Sequence, residues 1–181
     1  MASAIIYASR STSGSQPAFR RLAERAAQTF LQGVPVSIGV DGYLTEWNGA
    51  SMTGAIAGVS AEPARNRTTS GVAQVLSTLG ISVANQANAV NITLPMFDDG
   101  MLNIADAVDD TVFFGEVGPS QLSSSAVIGK NYGMTKDTDG SWYVDLTKVA
   151  ANTVVVTIVS IDDYDTRGVY FRVLPAAQQN I

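Results

Sequence analysis

The chain has 181 residues, enough to bury a hydrophobic core without crosslinks, and it contains no cysteine and no histidine. Their absence excludes disulfides, thiolate nucleophiles, zinc sites built on these residues and histidine-based acid–base catalysis. With 11 Lys and Arg against 16 Asp and Glu, the net charge of −5 argues against nucleic-acid binding as the main function.

Residues 1–31 are predicted to form an N-terminal arm. The first part of the arm is rich in serine and small side chains, and its apolar residues are clustered at Ile5, Ile6 and Tyr7. Such a segment cannot bury enough apolar area by itself to offset its ordering entropy. We therefore expect a mobile arm whose apolar cluster is covered by a partner. Because no positive charge precedes this cluster, we expect no secretory signal.

The second part of the arm, residues 17–30, has apolar side chains at near-helical spacing. A proline stands at a plausible first-turn position and a glycine follows the end, which is typical of a short amphipathic helix. The apolar positions are Phe19, Leu22, Ala26 and Phe30.

After Gly33 the spacing of apolar residues changes from that of a helix to the alternation of a strand. Residues 32–181 are predicted to form a β domain. Valines and isoleucines alternate with smaller or polar residues as far as Asp41-Gly42, after which "YLTEW" alternates again, and this pattern predicts a hairpin. A third strand, "GAIAGVSA", leads into an exposed loop that carries Arg65 and Arg67. These two arginines either contact an acidic partner or only keep the loop soluble.

The rest of the chain shows short apolar runs separated by Asp, Gly, Pro and Ser. One or two helical turns are expected in residues 72–79. Strands are expected in "ANAVNITLPMF", "MLNIA", "TVFFGEV", "SAVIG", "SWYVDL", "TVVVTIVSI" and "GVYFRVLP". The run at residues 153–161 is apolar on both faces, which favours a central strand, and it is about half as long as a membrane-spanning helix. We expect a mainly β fold, a small barrel or sandwich with at most one or two short helices.

The string Asp137-Thr138-Asp139-Gly140 resembles part of a calcium loop. Aligning Gly140 with position 6 of the EF-hand loop puts Thr135 at position 1 and Leu146 at position 12, so both ends lack the required ligand. The residues after Gly140 alternate as in a half-buried strand, and Asp-Gly before such a run favours a hairpin turn.

Three acidic pairs and three aromatic residues are further candidates for a site. Paired carboxylates can hydrolyse glycosides or bind a hard cation, but each pair lies in a predicted connection and is expected to be solvated. The aromatic residues can form a platform for a sugar or partner, although on strands they more often pack in the core. The pairs are Asp98-Asp99, Asp109-Asp110 and Asp162-Asp163, and the aromatic residues are Trp47, Trp142 and Tyr143.

From Gln28 to Pro175, the order of segments resembles that of tailed-bacteriophage head decoration, or cement, proteins. An opening Gln-Thr-Phe-x-x-Gly-x-Pro-Val precedes a hairpin, and a late Tyr-Gly, Asp-Gly and Trp-Tyr-Val-Asp series precedes two valine-rich strands. The matching residues are Gln28, Thr29, Phe30, Gly33, Pro35, Val36, Tyr132, Gly133, Asp139, Gly140, Trp142, Tyr143, Val144 and Asp145.

This resemblance implies a small β-barrel with an extended arm that binds the outer surface of a phage head at junctions between major capsid protein subunits. It implies a structural virion protein made in the host cytoplasm, self-associating as a dimer or trimer, with no enzymatic activity, cofactor, metal, nucleic acid or membrane. It also implies that residues 17–30 are extended. A different class of function stays open, a soluble carbohydrate- or receptor-binding β module that uses the aromatic residues and binds calcium through the acidic pairs.

Overall fold

A computed structural model describes residues 5–14, 16–50, 54–66 and 100–179, which form two antiparallel β-sheets. Helical structure in these residues is limited to a 3-10 turn at Ser123–Ser125. The prediction of a mainly β protein is confirmed. The architecture is consistent with a sandwich, with no closed barrel in the part of the chain that the structure describes.

The two sheets contain eleven described strands. In chain order these are β1 (Tyr7–Ser11), β2 (Phe19–Ala23), β3 (Pro35–Ile38), β4 (Leu44–Glu46), β5 (Gly58–Ser60), β6 (Met101–Asp106), β7 (Thr111–Glu116), β8 (Asn131–Lys136), β9 (Trp142–Asp145), β10 (Val156–Ile161) and β11 (Gly168–Val173). The six-stranded sheet has the order β1-β7-β11-β10-β8-β9, and the five-stranded sheet has the order β2-β6-β5-β3-β4.

The hydrophobic core contains one set of alternating side chains from each sheet, because successive residues of a strand point to opposite faces. The five-stranded sheet contributes Val36, Leu44, Val59, Leu102 and Ile104, all nearly inaccessible to solvent. The six-stranded sheet contributes Phe113, Val144, Val156, Ile158, Val169 and Phe171.

The expected helix in residues 17–30 is wrong, and the extended alternative is correct for β2. Phe19–Ala23 pairs with β6 at five consecutive positions, so the backbone hydrogen bonds of this segment are made with a strand about 80 residues away in sequence. The pairing overrides a weak local helical pattern. The segment is an edge strand of the five-stranded sheet.

The expectation that the first part of the arm is mobile and needs a partner to cover its apolar cluster is wrong for Ile6, which the chain itself covers. Strand β1 pairs with β7, and Ile6 is buried in the core with 1% of its surface exposed. Residues from the predicted arm therefore form one edge strand of each sheet, β1 and β2.

The hairpins predicted at Asp41-Gly42 and Asp139-Gly140 are confirmed. Strands β3 and β4 pair in antiparallel fashion around the first, and β8 and β9 around the second. In the second turn, residues 137–141 form the connection between the two strands. Asp137 donates its N–H to the Ser141 carbonyl and accepts the N–H of Gly140, whose φ is 91°.

Two other strand predictions need correction. The run at residues 125–129 is not a strand, and Val127 and Ile128 are exposed in a turn that ends at Gly129, with φ 82°. Strand β10 lies inside the six-stranded sheet as expected, but Val159 and Ile161 are only half-buried. The predictions for residues 72–79 and 87–97, Arg67 and Asp98-Asp99 lie outside the described residues.

Candidate interaction surface

The segment leading into β1 packs against Gly33, which lies in the turn before β3. A Cβ atom added to Gly33 would lie 2.6 Å from Ile5 Cγ2 and 2.8 Å from the Ile6 nitrogen, and the φ of Gly33 is 79°. Only glycine allows both this backbone conformation and so close an approach. The segment is thereby held with Ile6 inside the core and with Ile5 and Tyr7 about half exposed.

Tyr7 begins a row of three aromatic rings on the outward face of the six-stranded sheet. Tyr7 lies opposite Phe114 on β7, which in turn lies opposite Tyr170 on β11. The ring centroids are 5.1 Å apart for Tyr7 and Phe114, and 5.2 Å apart for Phe114 and Tyr170. These distances are typical of favourable aromatic contacts, so the row is a continuous cluster across three strands.

Arg10 extends this row, because its guanidinium carbon lies 5.4 Å from the centre of the Tyr170 ring, within the range of a cation–π contact. The Tyr170 hydroxyl donates to Asp162 at 3.4 Å. Partial burial raises the pKa of Tyr170, and the negative charge of Asp162 raises it further. We call Tyr7, Arg10, Phe114 and Tyr170 the aromatic row.

Sequence reasoning identified Tyr7 but missed the rest of the row. The doublets Phe113-Phe114 and Tyr170-Phe171 could have predicted aromatic residues on the outward face. In a strand, two adjacent aromatic residues point to opposite faces, so one member of each doublet cannot face the core of a two-layer sandwich. Phe113 and Phe171 pack together inside, with centroids 5.9 Å apart, and their neighbours face outward.

Of the two predicted loop arginines, Arg65 is described and is held within the protein. Its guanidinium pairs with Glu62 at 2.8 Å, and its backbone N–H donates to the buried carboxylate of Glu24. These contacts fix the loop against β2. Among the described residues, Arg65 makes no recorded contact with Tyr7, another of the predicted partner-contact residues.

The tryptophans are core residues and not a platform. Trp47 and Trp142 are 2% and 3% exposed, and their ring centroids lie 4.9 Å apart. Trp142 Nε1 donates to Glu46 at 2.9 Å, and Lys136 pairs with the same carboxylate. The hairpins β3–β4 and β8–β9 are joined through these contacts.

Tyr143 is half-buried on β9, and partial burial raises its pKa. It packs closely over Gly118, where an added Cβ would lie 2.9 Å from the ring. Its ring is therefore only partly available to a sugar or a partner.

The acidic residues that are described serve mainly as acceptors within turns. Asp139 accepts the N–H of Ser141, which lowers its pKa, and Asp162 accepts the N–H of Tyr164. Asp110 accepts the Ser11 hydroxyl at 2.7 Å. Among the described residues, no group of three or more acidic side chains is arranged to hold a metal ion.

Asp145 is the most extensively bonded carboxylate of the late motif. It accepts hydrogen bonds from Thr147, from the Gln121 amide and from the Thr135 hydroxyl. Partial burial acts to raise its pKa, but these hydrogen bonds outweigh burial and lower it. The residue ties β8 and β9 to the turn that follows β7, which is a structural function.

Comparisons of the chain with models of protein families, with curated proteins and with solved structures find no match. None of the described residues belongs to a helix that is both long and apolar enough to cross a membrane.

Proposed function

We propose that the chain is a capsid decoration protein of a tailed bacteriophage, which binds the outer surface of the head and stabilises junctions between major capsid protein subunits. The observation that carries the proposal is the ordered set of motif residues between Gln28 and Asp145. Gly33, Pro35 and Val36 lead into the β3–β4 hairpin, and Tyr132 to Asp145 form β8–β9. The Trp47–Trp142 contact joins the two hairpins, so the motifs support one structural unit.

The fold also suits a protein whose function is binding. A rigid β-sandwich with apolar and aromatic side chains on its surface can dock on a shell without a conformational change. On this proposal the protein acts in the virion, on the outer capsid surface, as a dimer or trimer. It requires no cofactor and performs no catalysis.

The test is addition of the purified protein to phage heads prepared without it. We expect saturable co-sedimentation with the heads, and heads that release their DNA at a higher temperature after binding. Absence of binding to the heads of the phage that encodes the chain would contradict the proposal. Unchanged thermal stability of saturated heads would contradict the stabilising role.

The aromatic row favours a second candidate, a glycan-binding β module, since exposed rings on a sheet face can stack on sugars. The tryptophans no longer support this candidate because they are buried. A glycan-binding module should bind sugars as an isolated monomer and lose the binding when Tyr7 is replaced by serine. A decoration protein should bind heads and show no such sugar binding.

A further inference from the structure

We propose that the outward face of the six-stranded sheet, centred on the aromatic row, is the surface that attaches to the capsid, and that it meets a capsid surface with carboxylates among apolar side chains. This inference rests on the function proposed above, and it selects one face of the sandwich and one chemistry for the partner.

The composition of this face is unusual for a solvated sheet. The outer face of an antiparallel sheet that packs on a core with its other side is normally polar. Here three adjacent strands present Tyr7, Phe114 and Tyr170 in one row, and Tyr7 keeps about half of its surface exposed. Tyrosine and arginine are among the residues that dominate binding energies at protein interfaces.

A β-bulge in β1 brings Arg10 to the same face as Tyr7. Tyr7 is paired with Phe114 and Ala8 with Phe113, but the register shifts after Ala8, so that Arg10 is paired with Val112. Ser9 is the extra residue of the bulge. If β1 alternated regularly through Ser9, with no bulge, Arg10 would face the core. The bulge also interrupts the regular hydrogen-bonding edge of β1, which favours contact through side chains over addition of another strand.

The charges on this face indicate an acidic partner. Arg10 stacks on Tyr170 and pairs with no carboxylate among the described residues, and Arg172 on the same face of β11 donates only to the Asp109 carbonyl. Five other basic side chains are paired with carboxylates within the chain, in the pairs Arg20–Asp106, Arg25–Asp41, Arg65–Glu62, Lys136–Glu46 and Arg167–Glu116. Lys148 instead donates to the Met134 carbonyl, and Lys130 lies over the Tyr132 ring. On a chain with a net charge of −5, two arginines without carboxylate partners beside an aromatic row are complementary to carboxylates.

The decisive experiment compares matched variants on the two sheets. Tyr7→Ser and Arg10→Glu alter the proposed face, while Phe19→Ser and Arg25→Glu make the same types of change on the five-stranded side. Tyr7 and Phe19 are 51% and 57% exposed, and each lies on an edge strand. Thermal unfolding of each variant first establishes that it is folded.

Each variant is then titrated onto phage heads prepared without the protein, and the bound fraction is measured after sedimentation. We expect the half-saturating concentration to rise about tenfold or more for Tyr7→Ser and Arg10→Glu, and to change less than about twofold for Phe19→Ser and Arg25→Glu. Raising the ionic strength should weaken the wild-type protein more than an Arg10→Gln variant, because exposed charge pairs are screened by salt.

The outcomes separate the two proposals. Failure of the wild-type protein to bind heads would overturn the proposed function together with this inference. Binding by the wild type that is unchanged in Tyr7→Ser and Arg10→Glu would overturn only the assignment of the face. Equal weakening by the controls on the five-stranded side would also overturn that assignment.

Discussion

The six-stranded sheet carries aromatic residues on both faces, and the rings on the two faces differ in their burial. Phe113 and Phe171 lie inside, almost completely buried, whereas their chain neighbours Phe114 and Tyr170 lie outside and contact the half-exposed Tyr7. The strands and the ring separations are similar on the two faces. Burial in the core therefore accounts for the inner pair, whereas the outer rings are only partly buried and burial alone explains them less well.

The largest expected effect comes from removing an inner ring. Phe113→Ala should lower the free energy of unfolding by about 3 to 5 kcal/mol, because it removes a buried ring and leaves a cavity. Phe114→Ala, one residue along the strand, should cost about 1 to 2 kcal/mol, since its ring is only half-buried. Urea denaturation of both variants measures the difference, and equal losses would show that the two faces are equivalent in stability.

A smaller effect is expected from crowding the outer row. A Cβ atom on Gly168 would lie 2.9 Å from both the Phe114 ring and Asp162 Cβ, so Gly168→Ala should displace these side chains and cost about 1 to 3 kcal/mol. Near-UV circular dichroism should register a change at the neighbouring tyrosines.

The matched change on the inner side is Gly115→Ala, whose Cβ would lie 3.1 Å from both Ile6 and Phe171. This variant should leave the tyrosine signals close to those of the wild type. A larger tyrosine change in Gly115→Ala than in Gly168→Ala would contradict the separation of the two faces.

The contact between Tyr7 and Phe114 should be worth about 0.5 to 1.5 kcal/mol in a double-mutant cycle. The cycle uses Tyr7→Ala, Phe114→Ala and the double variant, each measured by denaturation. A coupling energy of zero would mean that the two rings are neighbours without a stabilising contact. In that case the outer row would be independent side chains and not a cluster.

The smallest effect concerns pH. Since the pKa of Tyr170 is raised in the folded protein, its neutral form is favoured by folding. Its contribution is therefore fully present below the unfolded pKa of about 10 and is lost as the pH rises through the folded pKa. Tyr170→Phe should show less loss of stability than the wild type between about pH 9 and 11. The inner Phe113–Phe171 pair cannot titrate, so an equal alkaline loss in Tyr170→Phe would assign the effect to another group.

Local patterns predicted the elements that depend on local chemistry. Asp41-Gly42 and Asp139-Gly140 were identifiable because glycine accepts the positive φ of a tight turn, and both have that conformation. For Trp142 the sequence left a binding platform open and favoured packing in the core, because large aromatic residues on strands are more often core residues. The residue is buried.

The remaining features depend on residues that are distant in sequence. The spacing of Phe19 and Leu22 fits a helix as well as a strand, and only pairing with β6 decides between them. Val127 and Ile128 resembled strand residues, but the chain turns at this point and leaves them exposed. The aromatic row joins residues about 160 positions apart, so no local window contains it.

The pairing of β1 with β7 also sets an order for assembly of the protein during synthesis. Tyr7 leaves the ribosome more than 100 residues before its pairing partner Phe114 on β7. The other neighbour of β7 in the sheet, β11, is synthesised later still. Folding that depends on non-local strand pairing is slow, typically in the range of milliseconds to seconds. The entropy cost of closing a long loop must be met before the stabilising contacts form. A nascent chain that has not yet reached β7 therefore lacks the strand whose pairing with β1 holds Ile6 in the core.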